Sequence, residues 1–488
     1  METRTIFRNL SPLDHRYSIS EQAVFDALVP WLSEEASISA CVRAEIALVS
    51  AHLTMRERLT PDLKAALEAA ALAVAPAEVY AEEEKTRHFI RALVNVLKKK
   101  TPPETAPLVH LGATSVDILD TSLSFRMRGV TREVALPLLK QLEKLLCDFV
   151  EREAETPQVG RTHGQHAVPI TLGFALAEYV SRLGKSIIEI ERRSGELKGK
   201  LAGAVGAYNA TSMLVRDPEE LERRYLAELG LSPSEHSTQL VEPEYLLRLL
   251  LEYNVAFGII ANLADDLRNL QRSEIGELRE GFGAEQVGSS TMPQKRNPWN
   301  SEHVKSLWKA FMPRVQTFFM DQISDHQRDL SNSASQRFIA EYITGFCFAV
   351  SRMTEVIEGL GADHERLTAN LRGDTVGGGI VGGILAEPAY ILLAESGVSD
   401  AHEVIRTITL AAERNGLRFV DALAQEPATL ERIGTKMAEL GLSPSPSAQD
   451  TLAFFEKPEQ YCGIAVKKAR ELAAKYRILC GFSSNQTE

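Results

Sequence analysis

Residues 245–274 read YLLRLLLEYNVAFGIIANLADDLRNLQRSE, with apolar side chains at Leu246, Leu249, Leu250, Tyr253, Phe257 and Ile260. Steps of three and four residues place these side chains along one face of a helix. No proline occurs between Pro243 and Pro293, so nothing interrupts that helix from within. A segment of about 30 residues would run roughly 45 Å at 1.5 Å per residue, far beyond the usual globular helix. The same reading predicts long helices over residues 119–155, 171–201 and 335–360. Alternating β-branched runs closed by Asn-Gly or Asp-Gly turns are nearly missing. The pattern therefore predicts an all-α protein around a central bundle of long helices. It suggests three regions: an N-terminal helical domain over 1–115, the long-helix bundle over 116–373, and a C-terminal helical domain over 374–488.

Composition narrows the class without changing that picture. At 488 residues the chain can bury a large core, and 44% hydrophobic with 25% charged residues is ordinary for a globular protein. No apolar run reads as a membrane span. The opening METRTIFRNLSPLDHRY carries charges throughout and no apolar core, so no signal peptide and a cytoplasmic location are expected. Five widely spaced cysteines, Cys41, Cys147, Cys347, Cys462 and Cys480, form no C-x-x-C pair. They read as small apolar packers rather than a disulfide framework or a zinc site. A net charge of −12 disfavours nucleic acid as a partner, since phosphate backbones need a basic surface. Any anionic substrate must then meet a local cationic site.

Several segments invite a chemical reading. The glycine-rich DTVGGGIVGGI at residues 374–384 lacks G-x-G-x-x-G spacing and a preceding strand, so it reads as a hinge or close-packing segment. The run Glu82, Glu83, Glu84 reads as a solvated helix face. Residues 288–298, GSSTMPQKRNP, are different: a glycine and two prolines keep them out of a helix, leaving serines, a lysine, an arginine and an asparagine on a loop. Three other polar islands are KTRH (85–88), VHLGATSVD (109–117) and GRTHGQHAVP (160–169). A lone histidine in a helical protein is more often structural than catalytic. Here His88 follows Arg87, His163 lies between Thr162 and Gly164, and His110 stands two residues before Gly112, each in a polar island rather than in an apolar stripe. Metal spacing is poor, with no His-x-x-x-His and no Glu-x-x-His, so neither a metal nor a cofactor is expected. Acyl transfer through Ser289 or Ser290 would need a nucleophile elbow between strand and helix, and none is visible. The remaining use of such a serine is proton abstraction, which requires cations and backbone N–H donors around its oxygen. Lys295 and Arg296 are near, and Gly288 permits close backbone approach.

The loop GSSTMPQKRNP resembles the signature loop of the fumarase/aspartase superfamily, whose members cleave C–N or C–O bonds and release fumarate. HLGATSVD and GRTHGQ stand ahead of it in the family's order, so the resemblance spans nearly the whole chain. SPLDHRYS (11–18), EEEKTRH before the first histidine and RDLSNSASQR (328–337) bring it closest to the adenylosuccinate lyases. The resemblance implies a homotetramer with active sites shared among subunits. It also implies β-elimination of fumarate from adenylosuccinate, giving AMP, and from succinylated aminoimidazole carboxamide ribotide in purine nucleotide biosynthesis.

Position by position, it makes Ser289 the general base and Ser290 the neighbour to test beside it. His163 becomes the general acid, with Glu302 as its orienting carboxylate, and His88 assists at the substrate. Thr114, Ser115, Thr162, Gln239, Lys295 and Asn297 would bind the succinyl carboxylates or the intermediate, and Lys295 would also stabilise its charge. His110 and Arg87 join the substrate-binding set. Arg16, Tyr17, Arg328, Ser333 and Arg337 would grip the nucleotide, chiefly its phosphate. Phe89-Ile90 stands where adenylosuccinate lyases usually show Asp-Val, and His303 stands where some members place an arginine. The alternatives are an argininosuccinate lyase-like enzyme, a carboxymuconate cycloisomerase-like enzyme, or a relative without chemistry. The basic contacts argue against the first two, and intact Ser289, His163, Lys295 and Glu302 argue against the last.

Overall fold

The structure, a computed structural model, describes residues 5–283, 285–329, 331–373 and 381–481. Of the glycine-rich run at 374–384, residues 374–380 lie outside the described residues. The long helices are present: Leu172–Gly195, Glu244–Leu270 and Ile339–Glu358. The predicted helix over 119–155 runs as Ser115–Val130 and Leu136–Arg152, joined by a π-helical turn at Thr131–Ala135. Its first residue, Thr131, turns its hydroxyl back to the Met127 carbonyl (2.6 Å) and receives the Tyr253 hydroxyl (2.8 Å), which gives this local widening a buried polar anchor.

Two helical stretches, Gln22–Met55 and Glu244–Leu270, do meet the length and hydropathy of a membrane span, contrary to the expectation from sequence. Most of the apolar window of each is buried inside the protein, as core helices are. The Glu34–Met55 helix, for instance, packs Ile38, Val42, Leu48, Val49 and Leu53 into one cluster with Leu93, Leu97, Leu221 and Tyr225. Burial of each such aliphatic side chain is worth about 1.5–3 kcal/mol. Cys41, Cys147, Cys347 and Cys480 are buried as expected, whereas Cys462 is half-buried.

The near-absence of strand signal concealed one well-formed hairpin. Strand β1 (Pro157–Thr162) pairs antiparallel with β2 (Gln165–Thr171), with a register shift at Gly160. A Cβ on Gly160 would fall 2.7 Å from the Val168 carbonyl oxygen, so only glycine fits this bulge. The two-residue turn is His163-Gly164, both at positive φ (54° and 71°), the combination an Asn-Gly turn provides in the common two-residue hairpin. Histidine is among the few side chains that tolerate the left-handed region, and this substitution hid the hairpin from a search for Asn-Gly.

Two compact units divide the chain. The first comprises Met1–Gln141, Lys185–Ile260 and Ser306–Arg352; the second comprises Leu142–Gly184, Ala261–Lys305 and Met353–Glu488. A separate apolar cluster in the second unit gathers Leu385, Leu393, Ile405, Phe419, Leu423, Ile433 and Phe455.

Glu143, also in the second unit, is fully buried, and neither of its carboxyl oxygens has a partner among the described residues. Burial alone pushes its carboxyl well above the usual carboxylate range. A group whose pKa is higher folded than unfolded contributes most below the unfolded value, and its contribution is lost as pH climbs above that value. Glu143→Gln should therefore melt higher than the wild type at pH 8, with the gap shrinking toward pH 5. Melting curves at the two pH values check this. A gap that does not widen with pH would show that the carboxyl is ionised where it stands.

Candidate active site

The hairpin delivers His163 at its tip. Its side chain is exposed, and Thr162 precedes it at the end of β1. What fixes the hairpin lies one residue earlier, where Arg161 forms a bidentate pair with Glu277 (Nη1 to Oε2 3.0 Å, Nη2 to Oε1 2.5 Å). Glu277 is fully buried and also accepts from Gln158 Nε2 (2.7 Å) and Asn370 Nδ2 (2.8 Å). Four donors on one carboxylate suit a buried anion, which is costly unless paired and hydrogen-bonded. Burial, aided by the Arg161 charge, lowers the pKa of His166 on β2, while Glu277 opposes that shift.

The loop at residues 288–298 is closed by backbone contacts. A Cβ on Gly288 would come 2.1 Å from the Lys295 carbonyl oxygen, so glycine alone lets the two ends of the loop meet. Asn297 Nδ2 donates to the Gly288 carbonyl (2.8 Å), and Lys295 N–H donates to the Met292 carbonyl (3.0 Å). Inside this closure the Ser289 oxygen accepts the backbone N–H groups of Met292 (3.1 Å) and Thr291 (3.4 Å). Donors aimed at a hydroxyl oxygen favour its deprotonated form. Ser290 and Lys295 are exposed, while Arg296 lies 5.1 Å over the Phe282 ring. Glu302 sits exposed in the first turn of the Trp299–Phe311 helix. The N-terminal turn of that helix is capped by Glu280, which accepts from Asn300 N (3.2 Å) and Ser301 N (2.9 Å). His303 stacks on Trp299 with ring centroids 5.2 Å apart.

The first unit carries the other candidates. Arg87 ends the Pro76–Thr86 helix at φ 53°, and His88 caps the Phe89–Lys98 helix by accepting Arg91 N–H at Nδ1 (3.2 Å). With Nδ1 an acceptor, a neutral His88 carries its proton on Nε2. The Phe89-Ile90 pair is explained here: both side chains join the apolar cluster, and His88 itself supplies the cap. Thr114 and Ser115 open the Ser115–Val130 helix on a capping box, the Asp117 carboxylate accepting Thr114 N–H (2.7 Å). Asp117 is fully buried, paired with the equally buried Lys200, and accepts Ala202 N–H (3.2 Å) and Gly203 N–H.

Arg328 donates to Gln239 Oε1 (3.3 Å), joining two candidates. Exposed Arg16 begins the Arg16–Ser20 helix, and Tyr17 stacks on Phe348 (5.3 Å), where burial raises its pKa against the pull of Arg352 and Arg16. Ser333 and Arg337 are exposed. His110 is half-buried, with its Nδ1 2.6 Å from Oε1 of Glu45.

Within the second unit, His163, Ser289 and Glu302 share no hydrogen bond or ion pair among the described residues, so the expected contact between Glu302 and His163 is not made within one chain. The sequence reading missed the supports Glu277, Asp117, Lys200 and Glu45. Of these, Asp117 was findable, since Thr114-Ser115-Val116-Asp117 fits the capping-box pattern, and a buried acid beside a candidate site follows from it.

A protein-family profile described as Lyase matches residues 18–310, and one described as Adenylosuccinate lyase C-terminal matches residues 324–441. An adenylosuccinate lyase of Archaeoglobus fulgidus is 30% identical over 466 residues, spanning 94% of this chain and 97% of the relative. The adenylosuccinate lyase of Pyrococcus horikoshii is 31% identical over 478 residues, spanning 95% and 96%. Among solved structures, a fumarate lyase from Mesorhizobium sp. BNC1 superposes with TM-score 0.77 at 21% identity, covering 92% of this chain and 97% of that one. A 3-carboxy-cis,cis-muconate lactonizing enzyme from Pseudomonas putida does so with TM-score 0.74 at 24% identity, covering 93% and 97%. The two structures speak for the fold, and they bear out the all-α, long-helix architecture.

Proposed function

Because the chain belongs to the adenylosuccinate lyase family and is a C–N lyase, we propose that it eliminates fumarate from adenylosuccinate, leaving AMP, and from succinylated aminoimidazole carboxamide ribotide. The match of residues 324–441 to the adenylosuccinate lyase C-terminal profile carries the choice of substrate, because the lyase profile alone would admit other fumarate-releasing enzymes.

The reaction begins when Ser289 takes the Cβ proton of the succinyl group. The two backbone N–H groups aimed at its oxygen support that role by stabilising the charge it must carry. Loss of the proton leaves a dianionic aci-carboxylate, and hydrogen-bond donors and cations placed on that charge supply most of the rate enhancement. Lys295, Asn297, Ser290, Thr114, Ser115, Thr162 and Gln239 serve there. The Cα–N bond then breaks, its electron pair leaves with nitrogen, and His163 protonates that nitrogen from the opposite face with Glu302 orienting the ring. His88 and His110 contact the substrate. Arg16, Tyr17, Arg87, Arg328, Ser333 and Arg337 hold the nucleotide, where the planar guanidinium suits phosphate.

The complete site draws on several copies of the chain in a homotetramer. This arrangement is supported by the exposure of His163, Lys295 and Glu302 and by the absence of any bond between His163, Ser289 and Glu302 among the described residues. The test is fumarate release by the purified protein from adenylosuccinate, from the imidazole ribotide and from argininosuccinate, measured in parallel without added metal. Release from both nucleotides and not from argininosuccinate is expected. Release from argininosuccinate alone, or from none, would overturn the substrate.

A further inference from the structure

His110 and its neighbour Leu111 are each held by a group on the Glu34–Met55 helix that neither the family match nor the sequence motifs single out. His110 Nδ1 lies 2.6 Å from Oε1 of Glu45. Glu45 is fully buried, and its other oxygen has no partner among the described residues, so His110 is the group that satisfies this carboxylate. Seven positions on, about two turns along the same helix face, stands the fully buried His52. Arg56 Nη1 lies 2.9 Å from His52 Nδ1, and the Leu111 carbonyl lies 2.8 Å from His52 Nε2. A guanidinium only donates and a carbonyl only accepts, so His52 is neutral with its proton on Nε2. The lowered pKa of His52, caused first by burial, agrees with this. One helix face therefore grips the side chain of residue 110 and the backbone of residue 111.

That grip explains the backbone between them. His110 sits at φ 64°, a region L side chains rarely occupy, which persists only where the surroundings over-determine it. The ring keeps 23% of its side chain open to solvent, and Nε2 makes no hydrogen bond among the described residues. A carboxylate only accepts, so Nδ1 carries a proton and Nε2 is the atom left to face outward.

We propose that Glu45 is a positioning residue for the lyase reaction: it sets the rotamer and tautomer of His110 so that Nε2 is the ring atom presented to substrate. This rests on the lyase reading above, in which His110 contacts the substrate. The test is a double-mutant cycle of Glu45→Gln, His110→Gln and the pair, read in kcat/KM for adenylosuccinate and separately in melting temperature. Glutamine keeps the shape of Glu45 but not its charge, and its amide can turn either its oxygen or its NH2 toward Nδ1, so it no longer fixes the tautomer of His110. Should it not accumulate folded, Glu45→Asp takes its place, drawing the carboxylate back by one methylene. The expected result is a fall in kcat/KM of about 10- to 100-fold in Glu45→Gln, with the double variant no worse than His110→Gln alone. A change under twofold, or an undiminished loss in the His110→Gln background, would overturn the proposal, since Glu45 would then act on folding or through another group. If the wild type releases no fumarate from adenylosuccinate, the lyase reading fails. The melting cycle still reports whether the two side chains are coupled, and additive melting losses would overturn the contact itself.

Discussion

Ser289→Ala is expected to lower kcat for fumarate release from adenylosuccinate by about 10²–10⁴-fold, with little change in KM or melting temperature. Alanine deletes one oxygen from a loop whose shape does not depend on it. The close approach of Gly288 to the Lys295 carbonyl and the Asn297 bond to the Gly288 carbonyl both survive the substitution. The two N–H groups that lose their acceptor, on Thr291 and Met292, belong to exposed residues and can be taken up by water. The loss then falls on the step in which a proton must go to Ser289. Ser290→Ala is the comparison, with a smaller loss expected, because its side chain is exposed on the same loop without those donors and serves the intermediate rather than the proton transfer. Steady-state kinetics and melting of both variants decide the matter. A large loss in Ser290→Ala with Ser289→Ala active would move the base by one residue, and full activity in both would remove the loop serines from the proton transfer.

The long helices and the chemical islands were legible because both are written locally. Leu249, Leu250, Tyr253, Phe257 and Ile260 repeat at helical spacing whatever surrounds them, and all five are buried. The Ser289 loop announces itself by a glycine, two prolines and an unusual density of polar groups. The hairpin at residues 157–171 was not legible for a specific reason: its turn is His-Gly, and the residue expected to do chemistry also serves the turn geometry that asparagine usually serves.

The charged supports escaped for another reason. Glu45, Glu277 and Lys200 are fully buried, but in sequence each is one charged residue in a helical or mixed stretch, indistinguishable from a solvated one. Only the fold brings Glu277 to Arg161, more than a hundred residues away, or Glu45 to His110. The candidate groups are thus written in motifs, whereas the groups that hold them are written in tertiary contacts.

This division makes Glu277 the position where a change remote from the chemistry should cost most. Glu277→Ala removes the acceptor of Arg161, Gln158 and Asn370 together, and leaves a guanidinium only 16% exposed without its counter-charge. Breaking a buried pair from one side typically costs about 3–5 kcal/mol, because the surviving charge keeps its desolvation penalty. Melting should fall accordingly. Activity of the remaining folded protein should fall as well, since Arg161 immediately precedes Thr162 and His163, and a displacement of about 1 Å in a catalytic group can cost on the order of 100-fold.

The double variant Arg161→Met with Glu277→Leu separates the two effects. Replacing a buried ion pair by apolar side chains of similar volume is often neutral for stability, so part of the melting loss should return. Gln158 Nε2 still lacks its acceptor, whereas Asn370 Nδ2 keeps the Ile275 carbonyl (2.9 Å), and the unpaired Gln158 keeps the recovery partial. If the network positions the hairpin, kcat stays low in the double variant although stability improves. If kcat returns in step with the melting temperature, the Glu277 network contributes stability alone, and the placement of His163 must come from groups outside it.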